Sequence, residues 1–424
     1  MDSAFVLLML STALLLGLML TRVAKLLGLP AVTAYLVTGI ILGPFCLGAL
    51  NFEGLGFKSL SEVNSFNILC DLALGFIAFS IGNEFRLSQL KKIGKQATVI
   101  GIFQAVFTAI LVDIVLIAVS LMYPKFLPLP AAIILGAVAT ATAPAATLMV
   151  VKQYKAKGKL TDILLPVVAI DDAVGLVVFA ISFGVARTIS VGEVNVLSII
   201  LEPVLEVVLS ILLGAIIGAI FTFVERFFHS RSKRLAISIT FVMLTVAISS
   251  LSFKVGNVHI GFSSLLSCMM LGTIFCNICD FSEELMDRAD RWTTPFYVLF
   301  FVLSGAALDF SVFSQIAIVI VGVVFILTRS LGKYFGAMLS AKATKCDEKI
   351  VKYLGITLLP QAGVAIGMAS KALALGSVGV IVQSITLLAV LVYELVGPYF
   401  TKIALIKAGD IKPEEKTSAR QLQK

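Results

Sequence analysis

Ala169–Phe179 reads AIDDAVGLVVF and places two adjacent carboxylates, Asp171 and Asp172, inside an otherwise apolar run over 160–187. A run of that length exceeds the roughly 20 apolar residues that cross a bilayer as a helix. Charges at such depth are costly and are kept for a function. Two neighbouring carboxylates in a low dielectric cannot both ionise without a compensating cation or proton, and they titrate as one coupled pair. Protons and cations therefore compete for the same oxygens. The plainer alternative is a structural pair satisfied by neighbouring helices.

The rest of the chain has the same character. Of its 424 residues 59% are hydrophobic and only 14% charged, and the mean hydropathy is +1.05. Soluble domains carry about 25% charged residues, so this chain lacks the polar surface to coat a soluble globule. Thirteen apolar spans are expected at 4–21, 31–50, 64–84, 96–122, 129–151, 160–187, 197–228, 234–252, 258–279, 292–308, 312–340, 350–376 and 378–405. The first lacks the basic flank and the cleavage site of a signal peptide and reads as a membrane helix. The six cysteines are scattered, with one CxxC at Cys276 and Cys279, and the two histidines are His229 and His259. No zinc-type ligand set arises from them, so no metal or cofactor is expected.

The net charge of +8 is a matter of topology rather than of nucleic-acid binding. Of the 33 Lys and Arg, 26 fall in the loops after odd-numbered spans and in the C-terminal tail, and only 5 on the other side. The bias puts the N-terminus outside and the C-terminus in the cytoplasm, with basic loops facing anionic lipid heads. The remaining two, Arg329 and Lys333, lie within the eleventh span.

Arg329 stands about as far from the cytoplasmic end of its span as Asp171 does from its own. Lys333 lies one turn lower on the same face, and its stem can still reach. Either could pair with Asp171, but only lysine can release its proton when buried. Two spans are interrupted. The fifth contains AVATATAPAATLM, with Thr140, Thr142 and Pro144 near mid-span, and the twelfth ITLLPQAGVAIG, with Pro360, Gln361 and Gly363. Unwound carbonyls and half-helix ends build ion sites at the membrane centre; simple kinking is the plainer reading. The two breaks are seven spans apart, as an inverted repeat of spans 1–6 and 8–13 about span 7 requires. Asp71, Asp113, Glu202, Glu206 and Glu394 are the other charges within spans, and they read first as hydrogen-bonding or water-facing groups.

Taken together, GIILGPFCLG (39–48), GFIAFSIGNEFRLSQLKKIGK (75–95), TATAP (140–144), DDAVG (171–175), TRSLGKYFGA (328–337) and LPQAGVAIG (359–367) resemble the monovalent cation:proton antiporters, specifically the CPA2 branch of sodium/hydrogen exchangers. The resemblance covers nearly the whole chain. It implies an all-α polytopic membrane protein of about thirteen transmembrane helices, with an inverted repeat and two crossed discontinuous helices. It also implies a homodimer. Residues 1–95 and 233–311 would form a scaffold that dimerises, 96–190 and 312–409 a core that carries the site, 191–232 a linker helix, and 410–424 a short cytoplasmic tail. By the same resemblance Asp172 is the principal cation and proton ligand, and aspartate at 171 marks electrogenic exchange. The GKxxG pattern puts the pairing lysine at Lys333. One departure is Ala143, where related branches carry aspartate before the proline, which leaves coordination and selectivity open. Against the nucleotide-binding domain of gated potassium-efflux relatives, the short tail leads to the expectation of no such control in cis.

The expected activity is exchange of Na⁺, Li⁺ or K⁺ for protons by alternating access, in a plasma membrane of bacterial type, with no enzymatic step. The cation would lie on Asp172, Asp171, Thr142 and Thr140 with freed backbone carbonyls. Rival readings are a cation channel on the same scaffold, a sodium-coupled symporter and a non-transporting sensor. No TVGYG-type filter supports the channel, and the acid pair suits a cation better than an anionic substrate.

Overall fold

In hydrocarbon no water satisfies a free backbone group, so apolar runs of this length close their hydrogen bonds internally as helices. The computed structural model describes residues 3–27, 29–50, 54–83, 85, 87–191, 196–251, 253–255, 258–279, 281–308 and 316–411. Most of the expected cytoplasmic tail (412–424), the first residues of the eleventh span (312–315) and the side chain of Glu202 lie outside the described residues.

In chain order the helices are α1 (Ser3–Leu26), α2 (Ala31–Leu42), α3 (Leu60–Asn64), α4 (Asn67–Asn83), α5 (Leu87–Met122), α6 (Leu129–Val138), α7 (Pro144–Gln153), α8 (Lys159–Val191), α9 (Val196–Glu225) and α10 (Arg231–Ser249). They continue as α11 (Ser264–Ile278), α12 (Ser282–Ala306), α13 (Ile316–Ala343), α14 (Glu348–Thr357), α15 (Gly363–Ala372) and α16 (Ser377–Ala408). Each apolar stretch read from the sequence contains helix. By length and composition, 8 of the described helices can cross a membrane. Several boundaries differ from expectation: α5 begins at Leu87 rather than 96 and α12 at Ser282 rather than 292. The ninth span begins at Ser264 rather than 258, because β1 (Phe253–Val255) and β2 (Val258–Ile260) pair there as an antiparallel hairpin. The second ends as α-helix at Leu42, where Gly43 takes an extended conformation ahead of Pro44, as a residue before proline prefers.

Large apolar side chains face outward along whole helices: Leu8, Leu15 and Leu18 on α1, Ile110, Ile114 and Leu121 on α5, Ile216 and Phe223 on α9, Ile320, Leu327 and Leu331 on α13. Apolar surface on this scale has no place in water and is what a bilayer covers. The interior falls into three clusters. One joins α1, α2, α4, α9, α10, α11 and α12 and receives Ala145 and Leu148 of α7. A second joins α5, α6, α8, α13, α15 and α16. The third ties the Ala97 end of α5 to the Leu160 end of α8 and to α14.

Candidate functional site

Both interruptions follow from proline chemistry. Pro144 disfavours helix at the residue before it, and Ala143 is extended at φ −96°, ψ 95°. Proline suits the first helical position, where its missing N–H costs nothing, and α7 restarts there. Likewise α14 stops at Thr357, Pro360 lies in the gap, and α15 restarts at Gly363. The two gaps touch: Ala143 N donates to Pro360 O at 2.9 Å, and Gln361 Nε2 to Val138 O at 2.9 Å.

Asp171 and Asp172 lie near the middle of the 33-residue α8, both essentially unexposed. Adjacent residues on a helix point about 100° apart, and the two acids meet different surroundings. Asp171 Oδ2 accepts from Lys333 Nζ at 2.7 Å and from the Thr142 hydroxyl, and its Oδ1 accepts from Gln104 Nε2 at 2.5 Å. Among the described residues neither oxygen of Asp172 has a hydrogen-bond partner. A buried carboxylate without donors calls for a proton or a cation. Gly175 is one turn beyond Asp171 on the same face. A Cβ there would meet Thr140 Oγ1 at 2.7 Å, so the glycine lets the unwound segment close on α8 and bring Thr142 to Asp171.

Lys333 Nζ is gripped by three oxygens: Thr140 O at 2.5 Å, Asp171 Oδ2 at 2.7 Å and Thr142 Oγ1 at 3.0 Å. Lysine and acid are both 0% exposed. Arg329, the other basic candidate, makes no ion pair with Asp171 among the described residues. Its Nε donates to Ala139 O at 3.0 Å, Nη2 to Ala141 O at 2.6 Å and Nη1 to Leu359 O at 2.8 Å. Matching depth had left Arg329 open as a partner. Its planar fork of donors is better suited to several carbonyls in different directions, and both breaks present them. The guanidinium also lies over Tyr393, 4.4 Å from the ring centroid. Each helix C-terminus carries about half a negative charge. Those of α6 and α14 end at this one cation.

This changes the expectation for the carbonyls. Those of Val138, Ala139, Thr140, Ala141, Leu359 and Pro360 are all engaged by side chains or by the facing break. Thr140 enters through its carbonyl, since its hydroxyl donates to Ala137 O at 2.7 Å. Gln104 was missed from the sequence. The available signal was indirect: a lone amide in GIFQAVF opposite Gly332 and Gly336, whose small-xxx-small spacing marks a close helix contact. Cβ atoms on those glycines would lie 3.0 Å from the Cα atoms of Thr108 and Gln104 respectively.

The other membrane charges lie apart from this constellation. Asp113 lies against Gly136 of α6, and Glu394 is 3% exposed with an unpartnered Oε2. Glu206 comes within 3.7 Å of Lys371. Asp71 is exposed on α4. No group of three or more metal-ligating side chains occurs among the described residues.

Two touching helix breaks, one cation fixed on their carbonyls, and a second paired with an acid whose neighbour is a bare carboxylate define the class: an integral membrane protein of the secondary cation transporter kind. The chain belongs to the sodium/hydrogen exchanger, transmembrane, family, whose model matches residues 10–407. Its fold is similar to that of the sodium proton antiporter MjNhaP1 from Methanocaldococcus jannaschii at pH 8. That match has a TM-score of 0.69 and 17% identity, covering 94% of this chain and 97% of the other. An electron-microscopy structure of the same antiporter gives a TM-score of 0.69 at 18% identity, covering 99% and 100%. No curated protein sequence is significantly similar to the chain.

Proposed function

We propose that this sodium/hydrogen exchanger is an electrogenic antiporter of the CPA2 type and that its cation site is the oxygen cradle held by the Lys333 ammonium. The observation that carries the reading is the pairing of that cradle with Asp172. A buried ammonium already occupies three oxygens as a monovalent cation would, and a carboxylate with no donor stands next to Asp171 on α8. When Lys333 withdraws, Thr140 O, Thr142 Oγ1 and Asp171 Oδ2 are released together, and Asp172 supplies the remaining charge.

In the proton-loaded state Asp172 is protonated and Asp171 is neutralised by Lys333. A cation entering the cradle displaces the Asp172 proton and the ammonium. If lysine then gives up its proton, as buried lysines can, two protons leave for one cation and each cycle moves net charge. Alternating access would set a core of α5–α8 and α13–α16 against a scaffold of α1–α4 and α10–α12, with α9 as the link. That makes thirteen membrane crossings, with the two interrupted helices crossing at their breaks. The positive-inside bias supports an outside N-terminus and a cytoplasmic C-terminus in a bacterial-type plasma membrane, and the resemblance supports a homodimer. The exchanged ions are Na⁺, or Li⁺ or K⁺, and H⁺, with no further cofactor.

The test uses purified protein in proteoliposomes with an acid interior, a pH-sensitive dye and the membrane potential clamped near zero. External Na⁺, Li⁺ or K⁺ should dissipate the pH gradient with wild type and not with Asp172→Asn. Undiminished cation-driven proton movement in that variant refutes the assignment, and silence towards every cation over a range of pH refutes coupled exchange.

A further inference from the structure

Gln104 has no part in the exchange described so far, yet it is the only described side chain on Asp171 Oδ1. It is 0% exposed on α5 and donates Nε2 to that oxygen at 2.5 Å and to Gly101 O at 3.2 Å. Its own Oε1 has no hydrogen-bond partner among the described residues. The Thr108 hydroxyl donates to Gln104 O at 2.7 Å, and Gly336 of α13 packs on its backbone. The amide is therefore locked in place with one end on the acid and the other end idle.

An amide N–H is a neutral donor, so it can stay on an ionised carboxylate while the charges around that carboxylate change. We propose that Gln104 is the positioning residue that keeps Asp171 in register throughout the cycle, donating Nε2 to the ionised acid both while Lys333 holds it and while the cation does. The proposal rests on the antiporter reading above. Its force lies in the moment of exchange. Lys333 and Thr142 share Oδ2, so loss of the ammonium strips one donor from that oxygen, while the bond on Oδ1 is untouched. With Gln104 in place Asp171 keeps a donor on each oxygen and can remain ionised for the incoming cation.

The experiment compares full-length wild type with Gln104→Met, similar in length but without donor or acceptor, in the proteoliposome assay over a range of pH and Na⁺. A hydrogen bond to a charged group corresponds to about tenfold or more in affinity. Gln104→Met should therefore raise the apparent KM for Na⁺ at least about tenfold and move the half-maximal pH upward by about one unit. The maximal rate at saturating Na⁺ and alkaline pH should stay within about threefold. A merely space-filling glutamine leaves both the KM and the pH profile of Gln104→Met at wild-type values, and that outcome overturns the proposal. Should Gln104→Met not accumulate as folded protein, Gln104→Glu decides. A protonated acid there both donates and accepts, so exchange should persist at the acid end and collapse at the alkaline end, and a wild-type profile refutes the idea. A wild type that exchanges no cation removes the antiport reading itself, which is a separate failure.

Discussion

Replacing Arg329 by lysine keeps the buried charge and removes the fork. The guanidinium makes three bonds to carbonyls of two separate unwound segments, at 2.6, 2.8 and 3.0 Å. A lysine ammonium has a single nitrogen at the end of a different stem and can hold one of them well. Hydrogen bonds from a charged group contribute about 1.5–3 kcal/mol each. Losing two leaves two buried carbonyls short of donors, a destabilisation of about 3–6 kcal/mol. Desolvation is not relieved, because the positive charge stays buried. In a unit of core-domain size each kcal/mol moves the thermal midpoint by roughly 2–4 °C, so Arg329→Lys should melt at least about 6 °C below wild type. The measurement is thermal unfolding of the detergent-solubilised protein, with Arg329→Met as a second variant. Methionine gives up the charge, leaving the ends of α6 and α14 without their counter-ion, and it too should fall by at least that amount. An Arg329→Lys protein that melts within about 2 °C of wild type would refute the claim that this side chain holds the two breaks together.

Lys333→Met should abolish the response of exchange to an imposed membrane potential in proteoliposomes, since the second proton per cycle is assigned to that amine. Gly136→Ala drives a methyl into Asp113, whose Oδ1 lies 1.8 Å from the added Cβ position. It should destabilise by about 1–3 kcal/mol, and the double variant with Asp113→Ala should recover most of the lost melting temperature. Lys152 on α7 pairs with Asp290 on α12 at 2.5 Å, and Gln153 Oε1 accepts from Ala31 N at 2.8 Å. Cysteines at 152 and 290 joined by a short bis-maleimide should therefore halt exchange if the core moves against the scaffold, and full activity of the linked protein speaks against that movement.

The membrane helices and the acid pair were legible because both rest on one-dimensional facts. Apolar length reports a bilayer, and a carboxylate in such a run is conspicuous wherever the helix turns. Pro144 and Pro360 were legible for a similar reason, since proline acts on its own residue and the one before. The choice between Arg329 and Lys333 was not. It depends on a turn of helix and on where the neighbouring break presents its carbonyls, and depth counting is blind to direction. Gln104 was hidden for a different reason. An amide in an apolar helix carries no charge to flag it, and its role appears only when Gly332 and Gly336 bring α13 against α5. The hairpin at 253–260 was missed because short apolar stretches do not distinguish strand from helix.

The two buried bases could not trade places. Arginine holds its proton under all working conditions, so a guanidinium in the cradle beside Asp171 would be a permanent cation. It could leave only by swinging away with its charge, and no proton would be released by the exchange. Lysine at 329 would bring the opposite fault: a cation that can lose its charge, bound to two negative helix ends that never lose theirs. The structure puts the permanent charge against the helix-end carbonyls and the base that can lose its proton against Asp171, which fits the proposed cycle. That division also accounts for Ala143. Its backbone N–H is already committed to Pro360 O, and a carboxylate on its side chain would add a third acid to a site whose two existing acids have one releasable base between them. In the proposed cycle the arriving cation replaces two protons and leaves the site with one net negative charge, and a third carboxylate at 143 would double it.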